Sequence, residues 1–375
     1  MPKNKYKKRK DGRYETKVSI GYDDTGKLIR KAVFAKTSAE LEEKVFEIKR
    51  QLKEGTFVFT DKTLFSDYCD RWYTTYKSVK ELNTRNMYKN IIDKHIKPCL
   101  GSLMINQIKK QDIQALINDR YDKPRTCQQI IMTLEQIINE MKIDRLIDPI
   151  TAENLTKNIS EPNYKAKPKR ALNKRELEAI KKADFTSRER AFVNIMFYFG
   201  LRREEALALM RNDFDFNNNK LNISRAVVFD KNTAVIKSTK SYAGERSIDI
   251  PSESVDFLKD YINGITGLYL FTKNNGELIT KSSYDKMWSS IIRKMNLAVQ
   301  SDSEKKMGIN PISITSHYFR HNYCTLLYYS GLTIGKAVEL MGHADYKMIM
   351  EIYKHLDDEK ENTSDKINNN IRIAL

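Results

Sequence analysis

The residues best suited to chemistry in this chain lie close together near its C-terminal end. Four of its five histidines fall in the last sixty residues, beside an arginine and a tyrosine. In order, this stretch contains His317, Arg320, His321, Gly342, His343, Tyr353 and His355. Imidazole and guanidinium groups can bind phosphate oxygens or move protons, and a phenol can attack phosphorus. The stretch therefore predicts a phosphodiester site with a tyrosine nucleophile.

A further candidate phosphate ligand, Arg202, lies more than a hundred residues earlier in the sequence. An apolar helix stops at Gly200, and a new amphipathic segment begins just after it. The arginine at such a break can project from packed structure into a cleft. Its forked donors can bind two phosphate oxygens at once, which a lysine cannot do. The alternative is that Arg202 forms only a surface ion pair with Glu204 or Glu205.

The overall charge also indicates a polyanionic partner. The 375 residues include 66 Lys and Arg against 49 Asp and Glu, which gives a formal net charge of +17 and a pI of about 9.4. Each cation that neutralises a phosphate releases a counterion, which favours nucleic acid binding. The alternative is a merely basic globular protein. An apolar fraction of 40% indicates folded structure, and the length suits two or three domains.

The four cysteines argue against a metal centre or a disulfide framework. They are scattered, without a CxxC pair or a Cys and His spacing that suits zinc. No metal and no cofactor are expected, and reduced thiols are typical of a cytoplasmic protein. The sequence also has no run of about eighteen apolar residues and no signal peptide pattern, so no membrane partner is expected.

The first 57 residues are predicted to form a small basic sheet backed by one helix. Strands are indicated at Tyr14–Ile20 and Leu28–Phe34, and Thr37 begins a helical pattern. The alternative is a basic, partly disordered tail. The candidate DNA contacts here are Lys5, Lys7, Lys8, Arg9, Lys10 and Arg13.

Residues 62–157 have apolar residues at helical spacing throughout, which predicts a bundle of four or five helices. Arg85, in a segment that opens a helix, is a candidate phosphate contact, and a solvated helix end is the equal alternative. Residues 158–171 are predicted to form a basic linker that follows nucleic acid. Its candidate contacts are Lys165, Lys167, Lys169 and Arg170.

Residues 172–375 are predicted to form an α-rich domain with a small β-region. Three short strands are expected in its middle, at Leu221–Phe229, Ala234–Ile236 and Arg246–Ile250. The later helices are expected at Tyr284–Leu297, His317–Tyr329 and Ile334–Leu340. Between the second and third strands, Lys237 and Lys240 are two candidates for a catalytic lysine.

Five motifs occur in a fixed order along the chain, and together they are more specific than any one of them alone. They are Gly200-Leu201-Arg202 with Glu205 three residues on, Lys240 in a strand turn, His317-x-x-Arg320-His321, Gly342-His343, and Tyr353-x-His355. This order resembles the tyrosine recombinase family of the phage integrase type, most closely over residues 172–356. Met341 and Phe199 depart from the more usual leucine and threonine, and both changes concern packing.

The resemblance implies a role for each matching residue. Tyr353 would attack the scissile phosphodiester and become linked to the 3′ phosphate. Arg202 and Arg320 would hold the non-bridging oxygens, His317 and His343 would donate hydrogen bonds or move protons, and Lys240 would protonate the 5′-hydroxyl leaving group. Lys240 is preferred to Lys237 because Arg246 follows it at the spacing of the family hairpin. His321, His355 and His95 are expected to be structural.

The resemblance also implies the architecture and the partners. Residues 1–57 would be an arm-type DNA-binding domain with a three-stranded sheet and a helix, residues 62–157 a core-binding domain, and residues 172–375 the catalytic domain with its tail. The enzyme would act as a homotetramer on core and arm sites of double-stranded DNA, with an accessory DNA-bending or excision factor in some reactions. The C-terminal tail would dock on a neighbouring protomer.

Three other functions remain open at this stage. A type IB topoisomerase shares the phosphotyrosine chemistry, although the separate basic N-terminal module favours a recombinase. A DNA-binding regulator with an inactive catalytic domain would lack the tyrosine or an arginine, and this sequence has both. A metal-dependent nuclease that uses His317, His321 and His343 lacks carboxylates near those histidines.

Overall fold

The structure is a computed structural model, and it describes residues 6–22, 26–55, 57–58, 63–165, 170–238, 244–273, 275–342 and 346–360. Its contacts divide the chain into two compact units, residues 1–166 and 167–375. The described residues are mainly helical with small antiparallel sheets, so the fold class predicted from the sequence is confirmed.

The first unit begins with a three-stranded antiparallel sheet and one helix. The strands are β1 (Lys7–Lys8), β2 (Tyr14–Tyr22) and β3 (Leu28–Ala35), in the order β1-β2-β3. Helix α1 (Ser38–Glu54) packs on the sheet through Leu41, which is fully buried with Val18 and Val33. The Thr37 side chain accepts a hydrogen bond from the Glu40 amide and caps the helix.

The rest of the first unit is a helical bundle. Residues 63–165, all of which are described, contain six α-helices rather than the four or five expected: α2 (Phe65–Trp72), α3 (Leu82–Ile91), α4 (Lys97–Leu100), α5 (Lys110–Asn118), α6 (Pro124–Ile143) and α7 (Pro149–Thr156). Helix α6 lies at the centre of the bundle, and Cys127, Ile130, Leu134 and Ile137 along one of its faces are fully buried. The alternating three- and four-residue spacing of these residues explains why the pattern predicted helices.

The second unit combines nine described helices with five short strands. The helices are α8 (Lys174–Lys182), α9 (Ser187–Phe199), α10 (Arg203–Ala206), α11 (Ser252–Gly264), α12 (Lys281–Val299), α13 (Asp302–Lys306), α14 (His317–Tyr329), α15 (Ile334–Met341) and α16 (Lys347–Lys360). The strands are β4 (Phe214–Asp215), β5 (Lys220–Ile223), β6 (Arg225–Asp230), β7 (Thr233–Ser238) and β8 (Arg246–Asp249).

These strands correct one prediction. The single strand expected at Leu221–Phe229 is divided at Ser224 into β5 and β6, which belong to different sheets. Strand β5 lies between β4 and β8, whereas β6 pairs with β7 in a separate two-stranded sheet. The reason is that β8 begins at Arg246, opposite Ile223, so the chain beyond Ile223 has no partner in that sheet. The alternation of apolar residues continues through the break and could not reveal it.

Helix α9 forms the centre of the core of the second unit. Its residue Phe192 is fully buried and makes edge contacts with Phe271, Tyr284 and Trp288, with ring centroids 5.3 to 6.3 Å apart. Both ends of the helix are fixed, by the Thr186 cap at the start and by Gly200 at the end. Because α9 is buried on most sides, the position at which it ends is rigidly determined.

Candidate active site

Gly200 sets the direction in which the chain leaves α9. Its φ of 56° lies in the left-handed region, which favours glycine. A Cβ at this position would also lie 2.3 to 2.5 Å from atoms of Tyr323 on α14. The close approach of α14 therefore requires glycine here, and it brings Arg202 and Arg320 to the same place.

Arg202 precedes α10 and keeps a partly exposed side chain. Its amide donates to Glu205 Oε2 at 2.9 Å, and its Nη1 donates to Glu205 Oε1 at 2.7 Å. Its Nη2 donates to the Gly342 carbonyl at 2.9 Å. The side chain is 34% exposed, so the ion pair and an outward-facing guanidinium coexist. A guanidinium has five N–H donors, and these contacts use only two of them.

Arg320, on α14, is buried, although it was expected to reach the oxygens of a bound phosphate. Only 1% of its side chain is exposed. Its Nη1 donates to the Gly200 carbonyl at 2.9 Å and its Nη2 to the Met341 carbonyl. Burial, and then the proximity of Arg202, lower the pKa of this guanidinium. Among the described residues its buried Nε has no hydrogen bond partner. The structure thus places Arg320 beneath Arg202 and away from solvent.

Glu205 lies at the centre of the arginine cluster. The residue is 2% exposed, and its carboxylate faces Arg202, Arg246 and Arg320. Burial by itself would raise the pKa of Glu205, but hydrogen bonds from Arg246 and the charges of the three arginines lower it to about 2. The site therefore contains a carboxylate that is ionised at neutral pH among three guanidiniums.

The three arginines also bind three successive carbonyls at the end of α15. Arg246 Nε donates to Leu340 at 2.8 Å, while Arg320 and Arg202 donate to Met341 and Gly342. The last carbonyls of a helix lack intrahelical partners and carry partial negative charge. Gly342, with a φ of 59°, ends the helix immediately before His343. The cluster therefore fixes the backbone that leads into the Gly-His motif.

The two histidines at the start of α14 have different environments. His317 is the first residue of the helix and is exposed, whereas His321 is 4% exposed. Their rings meet edge to face with centroids 5.4 Å apart. The expectation that His321 packs behind the site agrees with this burial, and His317 is the imidazole that can face a ligand.

Tyr353 on α16 is buried rather than presented to solvent. It is 5% exposed, its hydroxyl donates to the Leu332 carbonyl at 3.4 Å, and its ring meets the Tyr328 ring edge-on at 5.0 Å. Burial raises the pKa of Tyr353 to about 12. Within the described part of the chain, no hydrogen bond joins this phenol to Arg202 or Arg320.

Several predicted residues lie outside the described residues. These are His343, Lys240, Lys5, Lys167 and Lys169. Lys237, the competing lysine, lies on β7 opposite Ala226. The side chain of His355 also lies outside the description. Four of the six predicted catalytic residues can therefore be located. Arg320 and His317 both lie on α14, and Arg320 reaches the Gly200 carbonyl, two residues before Arg202. The fourth is Tyr353.

Some predicted DNA contacts form a basic groove at the N-terminal sheet. The groove is lined by Lys7, Lys8, Arg9, Lys10, Asp11, Glu15, Thr16 and Lys17. Arg9 pairs with Glu15 at 2.7 Å and Arg13 with Asp11 at 2.8 Å, and both guanidiniums lie over the Phe34 ring. The lysines are therefore better placed than the arginines to meet a polyanion.

The other predicted contacts divide into exposed and paired residues. Lys165 is exposed, and Arg85 lies in the first turn of α3 with a half-buried side chain. Arg170 forms a two-fold hydrogen-bonded pair with the buried Glu176, both bonds at 2.7 Å. This pairing anchors the start of α8, so a structural role of Arg170 competes with the predicted DNA contact.

Sequence reasoning gave Glu205 and Arg246 no site role. Glu205 was named in the first of the five motifs and as a possible surface partner of Arg202, and Arg246 as a landmark for the hairpin. A signal for Glu205 was present, because a carboxylate three residues after the residue that precedes a helix forms a capping interaction. No local pattern indicated that Arg246 would reach the same carboxylate from 41 residues away.

Two further properties hold for the described residues. No three His, Cys, Asp or Glu side chains in this part of the chain lie close enough together to hold a metal ion. No helix in it is long and apolar enough to cross a membrane.

Comparison with known families identifies the class of protein. Residues 170–360 match the phage integrase family, and residues 64–120 match the N-terminal SAM-like domain of phage integrases. The chain belongs to the phage integrase family. It is accordingly a tyrosine site-specific recombinase that acts in the integration of mobile elements. The family match favours a recombinase over the topoisomerase and the metal-dependent nuclease.

Curated relatives extend over almost the whole chain. A tyrosine recombinase XerC-like protein of Caldanaerobacter subterraneus subsp. tengcongensis is 25% identical over 98% of this chain and 98% of its own length. The transposase from transposon Tn916 of Enterococcus faecalis is also 25% identical, over 92% of this chain and 89% of its own.

Solved structures show the same fold. A Tn1549 transposon integrase fragment in complex with circular intermediate DNA has a TM-score of 0.65 at 18% identity, and it covers 84% of this chain and 100% of that one. A lambda integrase tetramer bound to a Holliday junction has a TM-score of 0.58 at 16% identity, covering 92% and 96%.

Proposed function

We propose that this recombinase cuts DNA by attack of Tyr353 on the scissile phosphodiester, which leaves a 3′-phosphotyrosine and a free 5′-hydroxyl. The single observation that carries the proposal is the cluster of arginines around Glu205, in which Arg202 is outward-facing and His317 is nearby. Transfer of the phosphoryl group to tyrosine conserves the bond energy, so religation needs neither ATP nor a metal ion.

The other site residues take the roles implied by the family. Arg202 and Arg320 hold the non-bridging oxygens, and His317 and His343 donate hydrogen bonds or move protons. Lys240 protonates the 5′-hydroxyl as it leaves. Guanidiniums that face the developing negative charge in a water-poor site stabilise it more than water does. Because Arg320 is buried, its contact with phosphate requires the residues that cover it to move.

Tyr353 likewise acts only after a rearrangement. Its pKa of about 12 lies five units above neutral pH, so ionisation in its present surroundings costs about 7 kcal/mol. Bringing the hydroxyl beside two guanidiniums and an imidazole would offset that cost. We therefore propose that DNA binding draws α16 away from Tyr328 and Leu332.

The remaining modules supply DNA recognition. We propose residues 1–57 as the arm-site domain, 62–157 as the core-binding domain, 158–171 as a basic linker and 172–375 as the catalytic domain. The partners are core and arm sites of double-stranded DNA, with a homotetramer as the active assembly and an accessory factor for excision. Support comes from the charge of +17 and from the solved relatives, which are bound to DNA. The cytoplasm is the proposed location, because all four cysteines are free thiols.

One experiment tests the proposed function. The protein is incubated in EDTA with duplex DNA that carries a candidate core site, nicked so that the cleaved fragment diffuses away. A covalent protein–DNA adduct that survives denaturation is expected, and a label at the 5′ end of the cleaved strand should be retained on the protein, because that part of the strand ends in the 3′ phosphate. The proposal would be refuted if none of the core sites taken from the ends of the mobile element gave an adduct. An adduct through the 5′ phosphate would also refute it.

Arg202→Lys is expected to slow adduct formation by a factor of about 10² to 10³. Loss of the two-donor phosphate contact removes about 3 to 4 kcal/mol of transition-state stabilisation. The rate is measured in a single turnover with saturating protein. The matched control is Arg203→Lys, since the adjacent Arg203 pairs with Glu204 and lies over the Tyr284 ring. Equal rates for the two variants would show that Arg202 does not bind phosphate.

The basic groove gives a prediction about salt dependence. Lys7→Ala with Lys8→Ala is expected to lower the slope of log affinity against log salt concentration, for arm-site DNA, by about 2, because each phosphate contact contributes about 0.9. Lys49→Ala with Lys53→Ala on α1 is the control of equal charge and should leave the slope nearly unchanged. The slopes are measured by fluorescence anisotropy. An equal decrease in both variants would mean that net charge, rather than the groove, governs binding.

A further inference from the structure

Arg246 is buried and fully engaged with protein groups. It is the first residue of β8, and its side chain is 3% exposed. Its Nη2 and Nη1 donate to the two oxygens of Glu205 at 2.8 and 3.2 Å, and its Nε donates to the Leu340 carbonyl at 2.8 Å. Unlike Arg320, whose Nε has no partner among the described residues, Arg246 has all three guanidinium nitrogens engaged with protein groups. Its effect on the reaction must therefore be exerted through the groups it binds.

Those groups also hold Arg202 and Arg320. Glu205 also binds Arg202, and it lies 3.9 Å from Nη1 of Arg320. The carbonyls that follow Leu340 bind Arg320 and Arg202. Arg246 therefore joins three segments that are 41 and 94 residues apart in the sequence: its own strand, the start of α10 and the end of α15.

The charges explain why this connection matters. Three guanidiniums share one carboxylate, and repulsion among them favours separation. Arg246 donates one hydrogen bond to each oxygen of Glu205, and this bidentate pairing fixes the orientation of the carboxylate as well as its position. One oxygen of the carboxylate is thereby held toward the Nη1 of Arg202. If Arg246 were shortened, Glu205 could rotate and the end of α15 would lose one of its three anchors.

We propose that Arg246 is a positioning residue of the phosphate site: by holding Glu205 and the Leu340 carbonyl, it sets Arg202 and Arg320 in the geometry that receives the scissile phosphate. This inference rests on the proposed function and concerns the same site. It assigns Arg246 no contact with DNA and no part in proton transfer. Its action is confined to the charge complementarity between the phosphate and the other two arginines, Arg202 and Arg320.

The test compares charged and neutral phosphates. The rate of adduct formation is measured in a single turnover with saturating Arg246→Ala or Arg246→Lys protein, on core-site DNA carrying either a normal phosphodiester or a neutral methylphosphonate at the scissile position. DNA affinity and thermal unfolding are recorded alongside. A neutral phosphorus centre depends less on correctly placed guanidiniums, because less negative charge must be balanced.

For Arg246→Ala, the rate on the phosphodiester is expected to fall about 100-fold and the rate on the methylphosphonate less than 10-fold, with DNA affinity within about threefold of the parent. Arg246→Lys should be intermediate, because an ammonium can pair with Glu205 but cannot reproduce the planar fork. If Arg246→Ala does not fold, the lysine variant decides the question. Arg190→Lys is the control, since Arg190 donates to the Ile180 and Ala183 carbonyls elsewhere in the domain.

Two outcomes would overturn the inference. Equal losses on the two substrates would assign Arg246 a structural role only, as would parental rates for both Arg246 variants. Failure of the parent protein to form any adduct would instead refute the proposed function, so the two failures are distinguishable.

Discussion

Replacement of Tyr353 by phenylalanine is expected to abolish the covalent protein–DNA adduct and to leave the fold intact. The Tyr353 hydroxyl makes one long hydrogen bond, 3.4 Å to the Leu332 carbonyl, and its ring packs against Tyr328. Phenylalanine keeps the ring, so the free energy of unfolding should change by about 1 kcal/mol or less. The nucleophile, in contrast, is removed completely. Adduct formation is measured by denaturing electrophoresis with core-site DNA.

The control for this variant is Tyr328→Phe. Tyr328 lies on α14, and its ring contacts the Tyr353 ring directly. Removal of its hydroxyl tests whether the Tyr328 phenol, rather than the Tyr353 phenol, attacks the DNA. The expected result is an adduct at a rate close to the parental rate. An adduct that persists in Tyr353→Phe and disappears in Tyr328→Phe would reassign the nucleophile.

Replacement of Glu205 by alanine is expected to have the largest effect on stability. The carboxylate is 2% exposed and is the shared counter-charge of Arg202, Arg246 and Arg320. Removal of one partner of a buried ion pair leaves uncompensated charge, which costs about 3 to 5 kcal/mol. The free energy of unfolding is measured by urea denaturation. Glu204→Ala is the control: its partly exposed pair with Arg203 should contribute about 1 kcal/mol or less.

The pH dependence of stability gives a second measure of the same carboxylate. The pKa of Glu205 is about 2 in the folded protein and about 4.5 when unperturbed. Because folding lowers the pKa, the unfolded state binds the proton more tightly, and the stabilisation is present above pH 4.5 and is lost as the pH falls toward 2. The difference amounts to about 3 kcal/mol. Glu205→Gln should remove this part of the acid sensitivity, and an unchanged pH profile would contradict the assignment.

Local patterns predicted the elements well where packing is periodic. The helix His317–Tyr329 was predicted with the bounds that the structure has, and the helix beginning after Thr37 was predicted from its cap. In both cases the apolar spacing and the capping residue belong to the segment itself. The outward-facing Arg202 was also predicted, since a glycine that ends a buried helix fixes the direction of the next residues.

Long-range contacts account for what the sequence did not reveal. The break at Ser224 depends on where a partner strand begins, and the role of Arg246 depends on Glu205 and Leu340, 41 and 94 residues away. The burial of Tyr353 depends on how α16 packs against Tyr328 and Leu332. The motif order assigns the candidate site residues, but it contains no information on whether the phenol is already beside the arginines.

The most direct test of the central claim is to locate the amino acid that carries the DNA. The chain has 20 tyrosines, among which Tyr329 and Tyr346 are more exposed than Tyr353, at 59%, 58% and 5%. The covalent adduct is digested with protease and nuclease, and the peptide with a residual nucleotide is sequenced by mass spectrometry. The expected result is a single 3′-linked nucleotide on Tyr353. A nucleotide on Tyr346, Tyr329 or any other residue would contradict it.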